Sequence, residues 1–203
     1  MTAGRADTRI GQLLIRARFA VSFGDALDLD LVSGEQAPPA TEAVVVPQDV
    51  HLILGDVGTI EDTRETPEQV LAASAQERPR RPGSIVVAPP KQGAPLTLQA
   101  IVYDFESSPP AREAHVFEAL LSAFEEAKAR CMTCLAVQPL GTAHAGLPPA
   151  RFLALLAQVC YSSAELGTSL RRVHLLLSSP EELSRYESLL SQVVDKKGKS
   201  TSA

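Results

Sequence analysis

Cysteine is scarce in this 203-residue chain: Cys131, Cys134 and Cys160 are all it has. So odd and sparse a set excludes the disulfide framework of a small secreted domain and points to a reducing, cytoplasmic setting. A surplus of positive charge is missing too. The formal net charge is −5 and the isoelectric point about 5.4, so neither nucleic acid nor an anionic membrane is an expected partner. No apolar run approaches the roughly 20 residues that span a bilayer. Met1 to Thr8 is small and polar, without the apolar core of a signal peptide. There is no internal repeat and no strong low-complexity segment. What remains is a chain with 45% hydrophobic residues, enough for one full core and too short to require two domains.

Short apolar runs punctuated by turn residues organise the first half. Gln12 to Phe23 ends in an expected strand, Phe19 to Phe23, before Gly24. Leu31 to Thr41 is rich in turn residues and reads as a loop. Ala43 to Val46 is a fully apolar run of the kind found in strands buried on both faces of a parallel sheet. Val50 to Leu54 follows after Pro47, and its pattern fits a strand or a turn of helix equally. Gly55 to Thr63 is a glycine-bearing loop. Thr66-Pro67-Glu68-Gln69 is a capping-box pattern with proline at the first helical position, which predicts a helix from Pro67 to about Gln76. Glu77 to Gly83 ends it in an exposed segment.

The second half alternates more regularly. Ser84 to Ala88 and Gln99 to Phe105 read as strands, joined through the proline-rich loop or hairpin Pro89 to Pro95. Ser108-Pro109-Pro110 opens a helix whose apolar stripe is Val116, Phe117, Leu120, Leu121, Phe124 and Ala127, three and four apart. Cys134 to Val137 is the next strand and Pro139 to Pro148 a turn. A helix with Phe152, Leu155, Leu156, Val159 and Cys160 on one face follows, then the strand Val173 to Leu177. Ser179-Pro180-Glu181-Glu182 is a second capping box, opening a helix that buries Leu183, Tyr186, Leu190 and Val193. Strands alternating with helices imply a mostly parallel sheet covered on both faces, with ligands at the carboxyl ends of its strands. The expected organisation is an N-terminal segment over 1–11, one domain over 12–195 and a disordered polar tail over 196–203.

The stretch best suited to chemistry is Cys134 to Pro148. A buried strand runs into a loop with Gly141, Thr142 and Gly146, then into Pro148-Pro149 at a helix start. Glycines allow close backbone approach, and free N–H groups at a helix start favour phosphate or carboxylate. An ordinary strand-to-helix turn has the same composition. Cys131 and Cys134 form a C-x-x-C, but no second ligand pair completes a metal site, and burial as small apolar residues is the expected role. His144 lies in the glycine loop and can meet a ligand or simply face solvent. His51, His115 and His174 lie among apolar residues without evident partners. Arg78, Arg80 and Arg81 form a small basic cluster between prolines, read as a solvated linker. No serine nucleophile with its base and acid is apparent.

Leu135-Ala136-Val137-Gln138-Pro139 followed by Gly141-Thr142-Ala143-His144-Ala145-Gly146-Leu147-Pro148 resembles the second ligand loop of macro domains. There a strand of the type "SIAFP" runs into "GTG-hydrophobic-GxP" and a helix. Gln99 to Asp104, with the Glu113 to Ala129 helix after it, resembles the family's "IH-x-V" strand and next helix. Phe23-Gly24-Asp25 resembles its "GD-I-T" element and Ala43 to Asp49 its "AIVNAAN" strand. The likeness spreads over roughly residues 12–195. It extends to the macro-like amino-terminal domain of leucine aminopeptidases, which is similarly stripped of the nucleotide motif.

This resemblance implies a three-layer α/β/α fold with a mostly parallel mixed sheet and an ADP-ribose-like ligand. The candidate binding residues it implies are Asp25, at the adenine-contacting position, Gly55 and Gly58 of the first loop, and Gly141, Thr142, Ala143, His144, Ala145 and Gly146 of the second. The departures are specific. Pro47-Gln48-Asp49 replaces the tandem asparagines, Ala143 the second glycine of "GTG", and Gly55-Asp56-Val57-Gly58 the glycine-rich first loop. Leu177-Ser178-Ser179 offers no aromatic for adenine stacking. With those losses, no catalytic residue, metal or resident cofactor is expected. The leading expectation is a non-catalytic scaffold or interaction module with a protein partner or a second copy of itself. Binding of ADP-ribose or a related nucleotide diphosphate is the alternative. An ADP-ribosyl hydrolase comes last and would need Asp49 or Asp56 to orient water.

Overall fold

The computed structural model describes residues 15–23, 26–34, 37–54, 79–88, 93–144 and 146–200, the backbone alone at 15–20 and 192–200. In chain order the described elements are β1 (Ile15–Phe23), β2 (Leu27–Ser33), β3 (Ala43–Asp49), β4 (Ile85–Ala88), β5 (Leu96–Tyr103), α1 (Glu113–Ala129), β6 (Cys134–Val137), α2 (Pro149–Glu165), β7 (Arg172–Leu177) and α3 (Pro180–Ser200). The strands form one sheet in the order β1-β2-β7-β6-β3-β5-β4. The five inner strands run parallel, and β1 and β4 pair antiparallel at the two edges. This is the mixed, mostly parallel α/β sheet expected.

Period-two alternation builds the strands. In β2, Leu27, Leu29 and Leu31 are fully buried while Asp28 and Asp30 lie on the other face. Leu31 to Ser33 are therefore strand, not the start of a loop; three leucines on one face outweigh the turn residues that follow. In β3, Ala43 and Val45 are fully buried, whereas Val44 and Val46 are half-buried, so the two faces are not equally covered. β3 also runs through Pro47 to Asp49. The β6 partner stops at Val45, so proline stands past the last rung of that pairing.

The three described helices lie on one face of the sheet, with α1 against α2 and α2 against α3. They enclose the main core. In it Val116, Leu120, Phe152, Leu156 and Tyr186 from the helices join Leu29, Val45, Leu135, Val173, Leu175 and Leu177 from the strands. The opposite face carries a small cluster, Val32, Ala136 and Leu176, flanked by Ala37 and Val44. The helix expected over 67–76 lies outside the described residues. So do Gly24, Asp25 and the Gly55 to Thr63 loop.

Several boundaries differ from expectation. β1 starts at Ile15, ahead of Phe19, and β5 spans Leu96–Tyr103 where Gln99 to Phe105 is expected. Val50 to Leu54 is neither strand nor helix but a turn, with Leu52 at φ 59°. α1 begins at Glu113, because the prolines at 109 and 110 belong to a loop that returns the chain from β5. The α3 backbone is helical to Ser200, into the stretch expected to be a disordered tail. The second capping box forms with a shift: Glu182 donates its N–H to Ser179 Oγ at 3.2 Å, but its carboxylate accepts from Ser178 N–H and Oγ, both 2.8 Å.

Candidate functional site

The carboxyl ends of the parallel strands gather three chain exits. At the β3 exit, Asp49 is 2% exposed. Its Oδ1 accepts from the His51 N–H at 2.7 Å, and its Oδ2 from the Ile53 and Leu54 N–H groups at 2.8 Å each. The Gln48 side-chain oxygen accepts from the Asp49 N–H at 2.9 Å. A buried carboxylate needs such donors, and here the turn folds around it to supply them. The Asp49 carboxylate is thus engaged by its own turn.

At the β6 exit, Gly141 to Gly146 closes on itself. Leu147 donates to the Gly141 carbonyl at 2.6 Å and Gly146 to the Ala143 carbonyl at 2.9 Å. The Tyr103 phenol oxygen accepts the Ala143 N–H at 3.0 Å, and burial pushes the Tyr103 phenol above its ordinary pKa. Both glycines are needed for this closure. Gly141 sits at φ 69°, where a Cβ would lie 2.7 Å from Val116 Cγ2, and a Cβ on Gly146 would overlap the Gly141 carbonyl oxygen. The N–H groups of Thr142 and His144 make no hydrogen bond among the described residues.

An aromatic group stands beside this loop. Tyr103 and Phe105 stack with centroids 5.6 Å apart, and the exposed His144 ring meets each edge-on at 5.5 Å. Phe105 remains half-exposed. His144 takes φ 54°, an uncommon conformation for a residue with a side chain.

At the β7 exit, a crevice of about 280 Å³ is lined by Gly34, Gln138, Pro139, Thr142, Ser178 and Glu182, with Leu176 and Leu177 as its apolar wall. The Glu182 carboxylate already occupies the N-terminal end of α3, the place where an incoming anion would be favoured. Tyr186, one helical turn on from Glu182, is 1% exposed, and burial raises its phenol pKa.

Of the residues singled out from sequence, Gly141, Thr142, Ala143, His144 and Gly146 share the β6 loop, and Thr142 reaches the β7 crevice. Asp25, Gly55, Gly58, Asp56 and Ala145 lie outside the described residues. The histidines expected to lack partners have neighbours. His174 Nδ1 is 3.6 Å from the Asp30 carboxylate, brought there by the β2–β7 register. The Asp104 carboxyl sits below its usual range chiefly because the Ser107 hydroxyl donates to it, with smaller contributions from His115 and His51. Cys131 is exposed and Cys134 buried, burial raising the Cys134 thiol; Cys160 is buried and pushed up to about 12. No group of three or more metal-ligating side chains exists among the described residues. No helix among them is long and apolar enough to cross a membrane. The roles of Asp49, Glu182, Tyr103 and Tyr186 lie beyond the sequence pattern. The Ser179-to-Glu182 capping box is the one available signal, and it marks a helix start, not an occupied anion position.

No family model matches the sequence, and no curated protein does. Solved structures do. The Oceanobacillus iheyensis macrodomain with ADP is 16% identical, covering 91% of this chain and 100% of its own, with a TM-score of 0.68. The same macrodomain with MES bound is 17% identical over 90% and 100%, TM-score 0.67. The macro domain of ganglioside induced differentiation associated protein 2 is 15% identical over 80% and 82%, TM-score 0.58. Identity this low speaks for the fold alone. The overall fold coincides with these structures across most of the chain: it is a macro domain-like fold.

Proposed function

We propose that this chain is a non-catalytic macro-like module that works through its surface and a protein partner. The Asp49 carboxylate carries this reading, since its two oxygens take the N–H groups of His51, Ile53 and Leu54. Those donors and that acid are what a bound diphosphate or an activated water would require at the β3 exit. Glu182 at the start of α3 adds a second negative charge at the same edge. Hydrolysis has the least support, because the Asp49 carboxylate already serves three N–H groups of its own turn.

Binding of an ADP-ribose-like ligand is the second reading. It is favoured by the Thr142 and His144 N–H groups, which no described residue uses, and by the Oceanobacillus iheyensis macrodomain of the same fold with ADP. Calorimetric titration with ADP-ribose separates the two. The first reading expects no heat of binding at millimolar ligand. Micromolar binding that disappears in a Gly141→Glu variant would establish the second. A turnover assay on an ADP-ribosylated protein is expected to show no release.

A further inference from the structure

We infer that β4 is a self-association edge, along which two copies of this chain pair β4 with β4, antiparallel about a two-fold axis beside Val86. As a function it rests on the reading above of a module that works through its surface, whose partner it names as a second copy. β4 ends the sheet, with β5 as its one neighbour among the described strands. The phase of their ladder shows which β4 backbone groups are already spent. The Ile101 N–H donates to the Ser84 carbonyl at 2.9 Å, and the pairs Val86 with Gln99 and Ala88 with Thr97 follow in step. Antiparallel pairs alternate between bonded and unbonded. Ile85 and Val87 therefore turn their N–H and C=O groups away from β5, and no described residue takes them. Such a row of open groups is a template for another strand.

The two edges of the sheet are built differently. β1 carries Arg16 and Arg18, and its register with β2 shifts between Arg16 and Ala20. Charge and an irregular register are devices that keep an edge from pairing. β4 has neither: Ile85–Ala88 is uncharged, contains no proline and keeps an unbroken register. Its phase suits a second copy, because the open groups at 85 and 87 are symmetric about 86. When Ile85 stands opposite the partner's Val87, and Val87 opposite the partner's Ile85, every open N–H meets an open carbonyl. Val86 then faces the partner's Val86, a β-branched cross-strand pair. What one copy leaves open the other completes, so the contact closes on itself. Side-chain exposure agrees. Val87 is 37% exposed, and so is Leu121 on α1, which lines a crevice of about 290 Å³ with Gly83 and Ser84. Apolar surface is thus open beside the start of β4 as well as on it. A pairing of so short a strand is small beside a stable dimer interface, which sets the expected association in the micromolar range or weaker.

The test is sedimentation velocity of the full chain from micromolar to millimolar concentration, which should show a reversible monomer–dimer equilibrium. Val86→Lys and Val86→Glu each set like charges face to face and should weaken the dimer about tenfold. An equal mixture of the two variants should recover it, since opposite charges then face each other. Val87→Pro deletes an N–H that β5 does not use. It should weaken the dimer about tenfold with the melting temperature kept, and it decides the matter if the Val86 variants fail to fold. A dimer indifferent to Val87→Pro, or folded Val86 variants that stay apart when mixed, would overturn the inference. So would a chain that remains monomeric at millimolar concentration, even if β4 then captures an extended peptide of another protein. ADP-ribose is titrated in parallel. Its binding to a chain that still dimerises defeats the reading above and leaves the β4 pairing; a monomer that binds none defeats the pairing alone.

Discussion

The β3 and β6 exits stand side by side at the same edge of the sheet, and each closes by hydrogen bonds of its own, but with different materials. At the β3 exit a charged side chain is the hub: Asp49 collects three backbone N–H groups from a turn that would otherwise leave them unpaired. At the β6 exit the backbone is its own partner, and two glycines allow it, with one phenol oxygen added from β5. The first arrangement satisfies its turn with a carboxylate. The second is a closed glycine loop that leaves two N–H groups without partners among the described residues. Neighbouring exits of one sheet can therefore close by different means, one around an acid and the other as a glycine-built loop.

The two exits should respond differently to substitution. The largest effect is expected for Gly146→Ala, where a Cβ overlaps the Gly141 carbonyl oxygen and the loop cannot close as it stands. A loss of about 3–4 kcal/mol in chemical denaturation is expected. Asp49→Ala should follow, with a loss of about 2–3 kcal/mol from N–H groups left without an acceptor in a half-buried turn. If that variant melted like the parent, Asp49 would not be the hub of the β3 exit. Tyr103→Phe removes the acceptor for Ala143 and should cost about 1 kcal/mol, also read by denaturation.

Smaller still is a pH effect away from both exits. The Glu42 carboxylate accepts from the Thr133 N–H, the Thr133 hydroxyl and the Cys134 N–H, which hold its pKa below the usual value. Asp104 is lowered likewise, first by Ser107. A carboxyl whose pKa is depressed by folding binds fewer protons folded than unfolded. Its contribution is full above the ordinary carboxylate range and is lost as pH falls through the lowered value. Denaturation midpoints should therefore fall on acidification below about pH 4.5, and Glu42→Gln should flatten that slope. Thiol labelling of the native protein should modify exposed Cys131 and spare buried Cys134 and Cys160.

Much of the architecture is legible as pattern. β6 can be read to the residue because Cys134 to Val137 is a short apolar run between Thr133 and Gln138-Pro139. α1 and α2 follow from apolar spacing, and their buried residues are largely the ones expected. β2 escapes the reading although its Leu-Asp alternation is a strand signal, because Gly34 and the prolines after it favour a loop. The site is far less legible. That Asp49 turns back into its own loop depends on a positive φ at Leu52 and on the β3–β5 pairing, neither of which a local pattern encodes. The Asp30–His174 pair depends on register between strands far apart in the chain. Tyr103 reaches Ala143 from another strand, and Tyr186 enters the core only when α3 packs.

The amide signals of His51, Ile53 and Leu54 report directly on whether Asp49 or a ligand holds the β3 exit. With Asp49 as their acceptor, those three amides should be protected from exchange, lose that protection in Asp49→Ala, and stay unmoved when ADP-ribose is added to millimolar concentration. Shifts of the same amides on adding ADP-ribose, with protection that grows on binding, would contradict the account: the loop would then be a working ligand site and Asp49 a displaceable occupant.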